Sequence, residues 1–369
     1  MTSKAETKYY HHGRFNFSGG VLPDAITAYR TYGDPKNPCI VFPTCYGGRL
    51  DNAGLLGQDY MIGPDKALDP TKYYVVTLAL FANGESSSPS NTPSPYNGPY
   101  FPAVTYEDNI RAQYAVLTKE LNVAKVFCVI GFSMGGQQAY YWPIMYPDYV
   151  EKFIALCGSA RTSPHNQCFL EGPKTALVSS KDFNDGHYTS TPYYGIRAFA
   201  RVYSAWAYGQ TWYREKQYLY NGKFSTLDNF IHDEWEKEFV DTWDANDMLS
   251  LLITWQLGDV SRLDYASTAD LSLKATVKSL SPSAITPDTE GDLESVLGKI
   301  KAKGLIMPCK TDLYFPPEDS ENEVAAMTKA GVDAKLVIIP SVWGHLAGGG
   351  SNDADDKFIK DEVNKFLET

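Results

Sequence analysis

The sequence predicts an α/β protein, a doubly wound and mostly parallel sheet that carries an inserted helical cap. Three observations lead there. Short β-branched and aromatic runs alternate with helical patterns toward both ends of the chain. One of those runs ends in a serine framed by glycines. Between Pro164 and about Leu297 the strand signal vanishes, and helical, aromatic segments take its place.

In chain order, the strand candidates are Ala25–Tyr32, Cys39–Pro43, Tyr73–Leu80, Val126–Ile130, Phe153–Cys157, Gly304–Met307 and Leu336–Ile339. Helical patterns fall at Asn109–Leu121, Gln137–Met145, Pro316–Ala330 and Lys357–Leu367; the last puts Ile359, Val363, Phe366 and Leu367 on one face. The stretch Phe81–Pro102 is rich in proline, serine and glycine, yet it lies between core elements and carries Phe81, Tyr96, Tyr100 and Phe101 as anchors. An ordered loop is expected there. The chain thus divides into a first core part at 1–163, a helical, aromatic-rich cap at 164–297, and a second core part at 298–369.

The strand Val126–Ile130 runs into Gly131-Phe132-Ser133-Met134-Gly135, a G-x-S-x-G sequence followed by a helix. Such a strand–turn–helix holds a serine Oγ above the carboxyl edge of a sheet, and only glycines let strand and helix pass that closely. A hydroxyl is a weak nucleophile at neutral pH, so Ser133 needs a base, and the base needs an orienting acid. With this turn the acid and then the histidine follow, on loops after late strands. Of six histidines, only His345 lies in a glycine-flanked loop behind a strong strand signal. His11, His12, His165, His187 and His232 are expected on the surface or in the cap. The loop after Gly304–Met307 offers Asp312 as the acid, whereas Glu318 and Asp319 sit at a helix start that favours acids without any catalytic role. Two backbone N–H groups should hold the developing oxyanion: that of Met134, after the nucleophile, and that of Cys45, in the loop following Cys39–Phe42.

Bulk properties narrow the alternatives. The 369 residues carry a net charge of -11 and no basic cluster, which argues against nucleic acid or an anionic membrane as partner. No apolar run approaches the roughly 20 residues of a membrane helix, and the N-terminus lacks a signal-peptide core. The six cysteines show no C-x-x-C spacing, and no metal signature is present. Buried free thiols in a reducing, cytoplasmic compartment are expected. Aromatic residues make up 14% of the chain and crowd between Tyr188 and Trp255, either as the core of the cap or as an apolar pocket over Ser133 for a bulky acyl or aromatic substrate.

Several further pieces carry a family resemblance: Gly63–Pro70, the Asn83-Gly-Glu-Ser-Ser-Ser-Pro-Ser loop, Tyr100–Asn109, Gly131–Gln137, Trp243–Leu249, Asp312–Pro317 and Gly344-His345. On these the chain resembles the homoserine O-acetyltransferase-like members of the α/β-hydrolase fold over nearly its whole length. The resemblance implies Ser133, Asp312 and His345 as the triad, the same three that chain order selects, and a homodimer assembled through the cap. Two departures matter. Leu346 follows His345 where the acetyltransferases typically carry an aspartate for the substrate's amino group, and Phe132 replaces a glycine before the nucleophile. Their carboxylate-gripping arginine matches Arg201 only out of step by one residue, so Arg201 is left unassigned. The expected activity is ester or related acyl-bond hydrolysis of a small molecule, without cofactor or metal. The alternative is O-acyl transfer to an alcohol with acetyl-CoA as co-substrate, homoserine being disfavoured by Leu346. A catalytically dead binding protein is the third reading, and the intact serine, aspartate and histidine set argues against it.

Overall fold

The computed structural model describes residues 5–51, 56–264 and 291–369. One sheet organises them, built from β1 (Lys8–Phe17), β2 (Gly20–Tyr32), β3 (Cys39–Pro43), β4 (Tyr74–Leu78), β5 (Val126–Phe132), β6 (Val150–Leu156), β7 (Lys303–Met307) and β8 (Ala334–Leu336). Their spatial order is β1-β2-β4-β3-β5-β6-β7-β8. β2 is antiparallel to both neighbours, and every pair from β4 to β8 is parallel. All five residues of β3 and of β4 are buried, as strands covered on both faces must be, and their sequences are correspondingly apolar.

The order places β3 directly beside β5, through the pairs Ile40–Cys128 and Val41–Val129. Consequently the loop leaving β3 and the turn leaving β5 meet at the carboxyl edge of the sheet, where doubly wound folds open a crevice. The loops after β7 and β8 leave the same edge.

Seven longer helices surround the sheet: α1 (Tyr106–Ala115), α2 (Met134–Met145), α3 (Pro164–Val178), α4 (Tyr193–Ala207), α5 (Ala245–Gln256), α6 (Pro317–Lys329) and α7 (Asp353–Leu367). α1 begins three residues before the expected start because Thr105 and Asp108 form a reciprocal capping box there. Among the described residues between Pro164 and Leu297 there are helices and turns and no strand of the sheet. No helix of the described residues is long and apolar enough to cross a membrane.

The largest departure from expectation is β1. Its sequence, KYYHHGRFNF, holds charges, histidines and a glycine, and its register slips between His11 and Gly13 and again between Gly13 and Phe15. As a half-exposed edge strand it has no clean apolar alternation to announce it. β8 is also displaced, ending at Leu336, while Ile339 joins Cys309 only through an isolated bridge.

Candidate active site

The turn after β5 places Ser133 at φ 58°, ψ -123°, a conformation that L-residues adopt only under constraint, at a cost of order 1–3 kcal/mol. The constraint is visible. The Ser133 N–H donates to the Leu156 carbonyl (2.9 Å) and its carbonyl accepts from Gln137 N–H (3.0 Å). A Cβ on Gly131 would fall 2.0 Å from the Gly135 carbonyl oxygen, so strand and helix meet there as no larger residue allows.

His345 lies in the turn Gly344–Gly349 and Asp312 in the loop after β7. The structure brings both to Ser133. His345 Nε2 is 2.8 Å from Ser133 Oγ, and His345 Nδ1 is 2.8 Å from Asp312 Oδ2. The other Asp312 oxygen accepts the backbone N–H groups of Tyr314 (2.8 Å) and Phe315 (3.1 Å). With a carboxylate on Nδ1, that nitrogen carries the proton, which leaves Nε2 as an acceptor for the serine hydroxyl. The imidazole is gripped by Phe132 and Tyr314, each with its ring centroid 4.7 Å away. All three polar side chains are buried. Gly344, at φ +61°, lets the histidine loop pass within 2.6 Å of Gly209 N, measured from where a Cβ would sit.

The two expected oxyanion donors are Cys45 and, directly after Ser133, Met134. Met134 is the first residue of α2, so its N–H has no acceptor inside the helix. Cys45 lines the cavity beside Ser133. Burial pushes its thiol up to about 12, so the sulfur stays protonated and is no competing nucleophile.

The remaining walls are Tyr46, Tyr203, Trp235, Phe239, Trp243, Tyr314 and Leu346. They leave a cavity of about 30 Å3, enough for roughly two water-sized centres. Of these residues, Tyr203, Trp235, Phe239 and Trp243 fall in the aromatic block between Tyr188 and Trp255. Trp235, Phe239 and Trp243 are spread over short helical pieces of that block, while Tyr46 directly follows the candidate oxyanion residue Cys45 and Tyr314 lies two positions after Asp312. A larger cleft of about 580 Å3 lies elsewhere, between Arg161, Asp319 and Lys329, and includes none of Ser133, Asp312 or His345. Among the described residues no histidine lines it, whereas the smaller cavity joins Ser133 to His345, so the smaller cavity is the candidate site.

Arg201 does not reach the cavity. It and Arg197 both pair with buried Glu236, and Arg201 also reaches Asp228 at 3.2 Å. Tyr203, two positions along α4, points to the site while Arg201 points away, as helical spacing requires. The other histidines lie apart from Ser133. His11 and His12 both lie on β1; His11 is exposed, as expected, and contacts Asp24, whereas His12 is half-buried and contacts Thr27 Oγ1 at 2.8 Å. Burial pushes His12 down to about 4, which keeps it neutral. His165, His187 and His232 are exposed.

A sheet of this order, with a serine on the turn from a central strand into a helix, is that of an α/β-hydrolase. Residues 38–179 match the alpha/beta hydrolase fold family. Over 334 residues the chain is 30% identical to a probable esterase of Corynebacterium glutamicum, covering 89% of this chain and 86% of that protein. It is 30% identical to an ethyl acetate hydrolase of Pseudomonas veronii, over 90% of this chain and 87% of that one. A homoserine O-acetyltransferase of Methanosalsum zhilinae is also 30% identical, over 93% and 69% of the two chains. The solved structure of an acetylester hydrolase from Corynebacterium glutamicum superposes with a TM-score of 0.86 at 27% identity, over 99% of this chain and 97% of that one. The chain belongs to the α/β-hydrolase family, in the homoserine O-acetyltransferase-like group that also holds esterases, and is an enzyme acting on acyl bonds.

Proposed function

We propose that the chain is a serine esterase that hydrolyses small, uncharged esters with a short acyl group. One observation carries this reading: the cavity at Ser133 Oγ is small and aromatic, and no lysine, arginine, aspartate or glutamate lines it. An amino-acid acceptor such as homoserine would bring an ammonium and a carboxylate into this space. Leu346, buried after His345, offers nothing to the former, and Arg201, committed to Glu236, nothing to the latter. The cavity volume also fits an acetyl-sized group better than the bulky acyl considered from composition. The names of the esterase relatives point the same way.

In this mechanism Ser133 Oγ attacks the ester carbonyl as His345 Nε2 takes its proton. Asp312 holds the imidazole and balances its positive charge. The N–H groups of Cys45 and Met134 stabilise the oxyanion, a contribution worth about 10²–10³ in kcat for each donor. Collapse expels the alcohol, which receives the proton from His345 and leaves an acyl-enzyme. A water activated by the same histidine then releases the acid. No cofactor or metal enters these steps. Five of the six cysteines are buried and none is in a disulfide, in line with a cytoplasmic enzyme. The division into core, cap and core at 164 and 297 belongs to the same proposal.

The second reading is O-acyl transfer, favoured by the acetyltransferase relative and by the burial of Ser133 among aromatic rings, which would limit the access of water to an acyl-enzyme. The two separate in one assay. Wild-type protein and Ser133→Ala are given p-nitrophenyl acetate, ethyl acetate, or acetyl-CoA, each with and without an alcohol acceptor. Ester turnover that is independent of acceptor and lost in the variant supports the esterase; acetyl-CoA consumption that requires the alcohol supports the transferase.

A further inference from the structure

We propose that Gln138 is a positioning residue for the oxyanion hole, and that it sets the orientation of the Cys45 N–H through a buried hydrogen-bond chain beginning at Trp142. The inference rests on the serine-nucleophile reading above. Gln138 Nε2 donates to the Thr44 carbonyl (3.0 Å) and also to the Met134 carbonyl (3.1 Å). Thr44 C=O and Cys45 N–H belong to one planar, trans peptide, so they point in opposite directions. Holding the carbonyl toward α2 turns the Cys45 N–H outward from that helix, toward the cavity that Cys45 and Ser133 share. One amide therefore ties together the two segments that supply both oxyanion donors.

The direction of the chain is fixed by its ends. Trp142 Nε1 can only donate, and it donates to Gln113 Oε1 (3.2 Å). That leaves Gln113 Nε2 to donate to Gln138 Oε1 (2.7 Å), and so the Gln138 NH2 must face the Thr44 and Met134 carbonyls, which can only accept. Flipping either amide would set donor against donor or oxygen against oxygen. Trp142, Gln113, Gln138 and Thr44 are all at most 1% exposed, so no water substitutes for a lost partner without repacking. Thr44 is otherwise pinned by its own N–H to the Leu78 carbonyl (2.9 Å) and by its Oγ1, which accepts from Leu80 N–H (3.0 Å). Those bonds hold the residue in place; among the described residues the Gln138 bond is the one that holds the Thr44 carbonyl, and with it the plane of the peptide that follows. A carbonyl released from Gln138 is free to rotate, and a rotated peptide turns the Cys45 N–H out of the hole.

Gln138→Met keeps the length of the side chain and removes its donors. The expected result is a kcat for p-nitrophenyl acetate reduced about 10- to 100-fold, less than loss of an oxyanion donor outright, with KM unchanged within about 2-fold. Affinity for a methyl trifluoromethyl ketone, whose adduct on Ser133 carries an oxyanion, falls in parallel with kcat. A purely structural role would lower the melting temperature and leave both readouts alone. Gln113→Met leaves Gln138 in place but unoriented, and should show the same kcat-against-KM split at about 3-fold. Unchanged kcat and ketone affinity in folded Gln138→Met overturns the proposal. If that variant does not fold, unchanged values in Gln113→Met overturn it equally. Wild-type protein that never acetylates at Ser133 refutes the esterase reading instead, which keeps the two failures distinct.

Discussion

Asp312 and Glu236 are both carboxylates buried to 3% exposure or less, and each is held by basic side chains, yet their surroundings differ in what lies beyond the partner. Behind Asp312 stands one imidazole, whose second nitrogen rests on a hydroxyl facing an aromatic cavity. Behind Glu236 stand two guanidinium groups, Arg197 and Arg201, whose side chains are 31% and 43% exposed and lead outward to solvent and to Asp228. A buried carboxylate becomes useful chemistry when its partner can pass a proton to a third group. Arginine stays protonated and cannot do so, so the second cluster braces helices while the first is poised to react.

Substitutions that separate the two clusters follow in order of size. Ser133→Ala and His345→Ala should each lower ester turnover by at least about 10⁴-fold in steady-state assays while thermal melts stay near wild type. Asp312→Asn should cost roughly 10³–10⁴-fold, since an amide can leave the imidazole in the wrong tautomer. Leu346→Asp places a carboxylate on the cavity side of the comparison. Turnover of neutral esters should fall about 10-fold, equivalent to about 1.4 kcal/mol, and the ratio of turnover for an amine-bearing to a neutral acetate ester should rise. Glu236→Gln should do the reverse of Asp312→Asn. It should lower stability by about 1–2 kcal/mol in denaturant titrations, discounted because both arginines can turn to solvent, and leave turnover within about 2-fold.

The smallest effect concerns a third buried carboxylate, Glu323. It accepts Tyr140 Oη–H at 2.6 Å and Ala160 N–H at 2.7 Å, and burial pushes it up from 4.5 to about 8. Between those values the folded state retains a proton that the unfolded chain releases, so this group's contribution to stability is complete below about 4.5 and declines as pH rises to about 8. The decline cannot exceed about 1.4 kcal/mol per pH unit for one proton. Glu323→Gln should flatten the stability profile across that window. A slope equal to wild type would remove Glu323 as its cause.

Of the strands bearing the site, β3, β5 and β7 were legible as mostly buried apolar runs, with Cys39–Pro43 found to the residue, while β8 is short and half-exposed and fell out of place. Ser133 stood out through its glycines, and His345 and Asp312 through the strands preceding them. The walls of the cavity were not legible in this way. Trp235 and Phe239 are four apart on short helical pieces with aromatic residues on every side, so period alone cannot say which ring faces Ser133. The Trp142–Gln113–Gln138 chain joins α1 to α2, and two glutamines in a helical pattern carry no signal of the carbonyl that they hold. Edge strand β1 stayed hidden because its pairing tolerates polar residues on both faces.

The central claim is an acyl-enzyme on Ser133 that water resolves. Intact-mass analysis of the protein during turnover of p-nitrophenyl acetate, with peptide mapping and graded additions of a small alcohol, tests it most directly. The account predicts a transient acetyl group on Ser133, absent from Ser133→Ala, with acetate as the product at every alcohol concentration. An acetyl group that persists until alcohol is added, and then leaves only as a new ester, would contradict it and make the chain an acyltransferase.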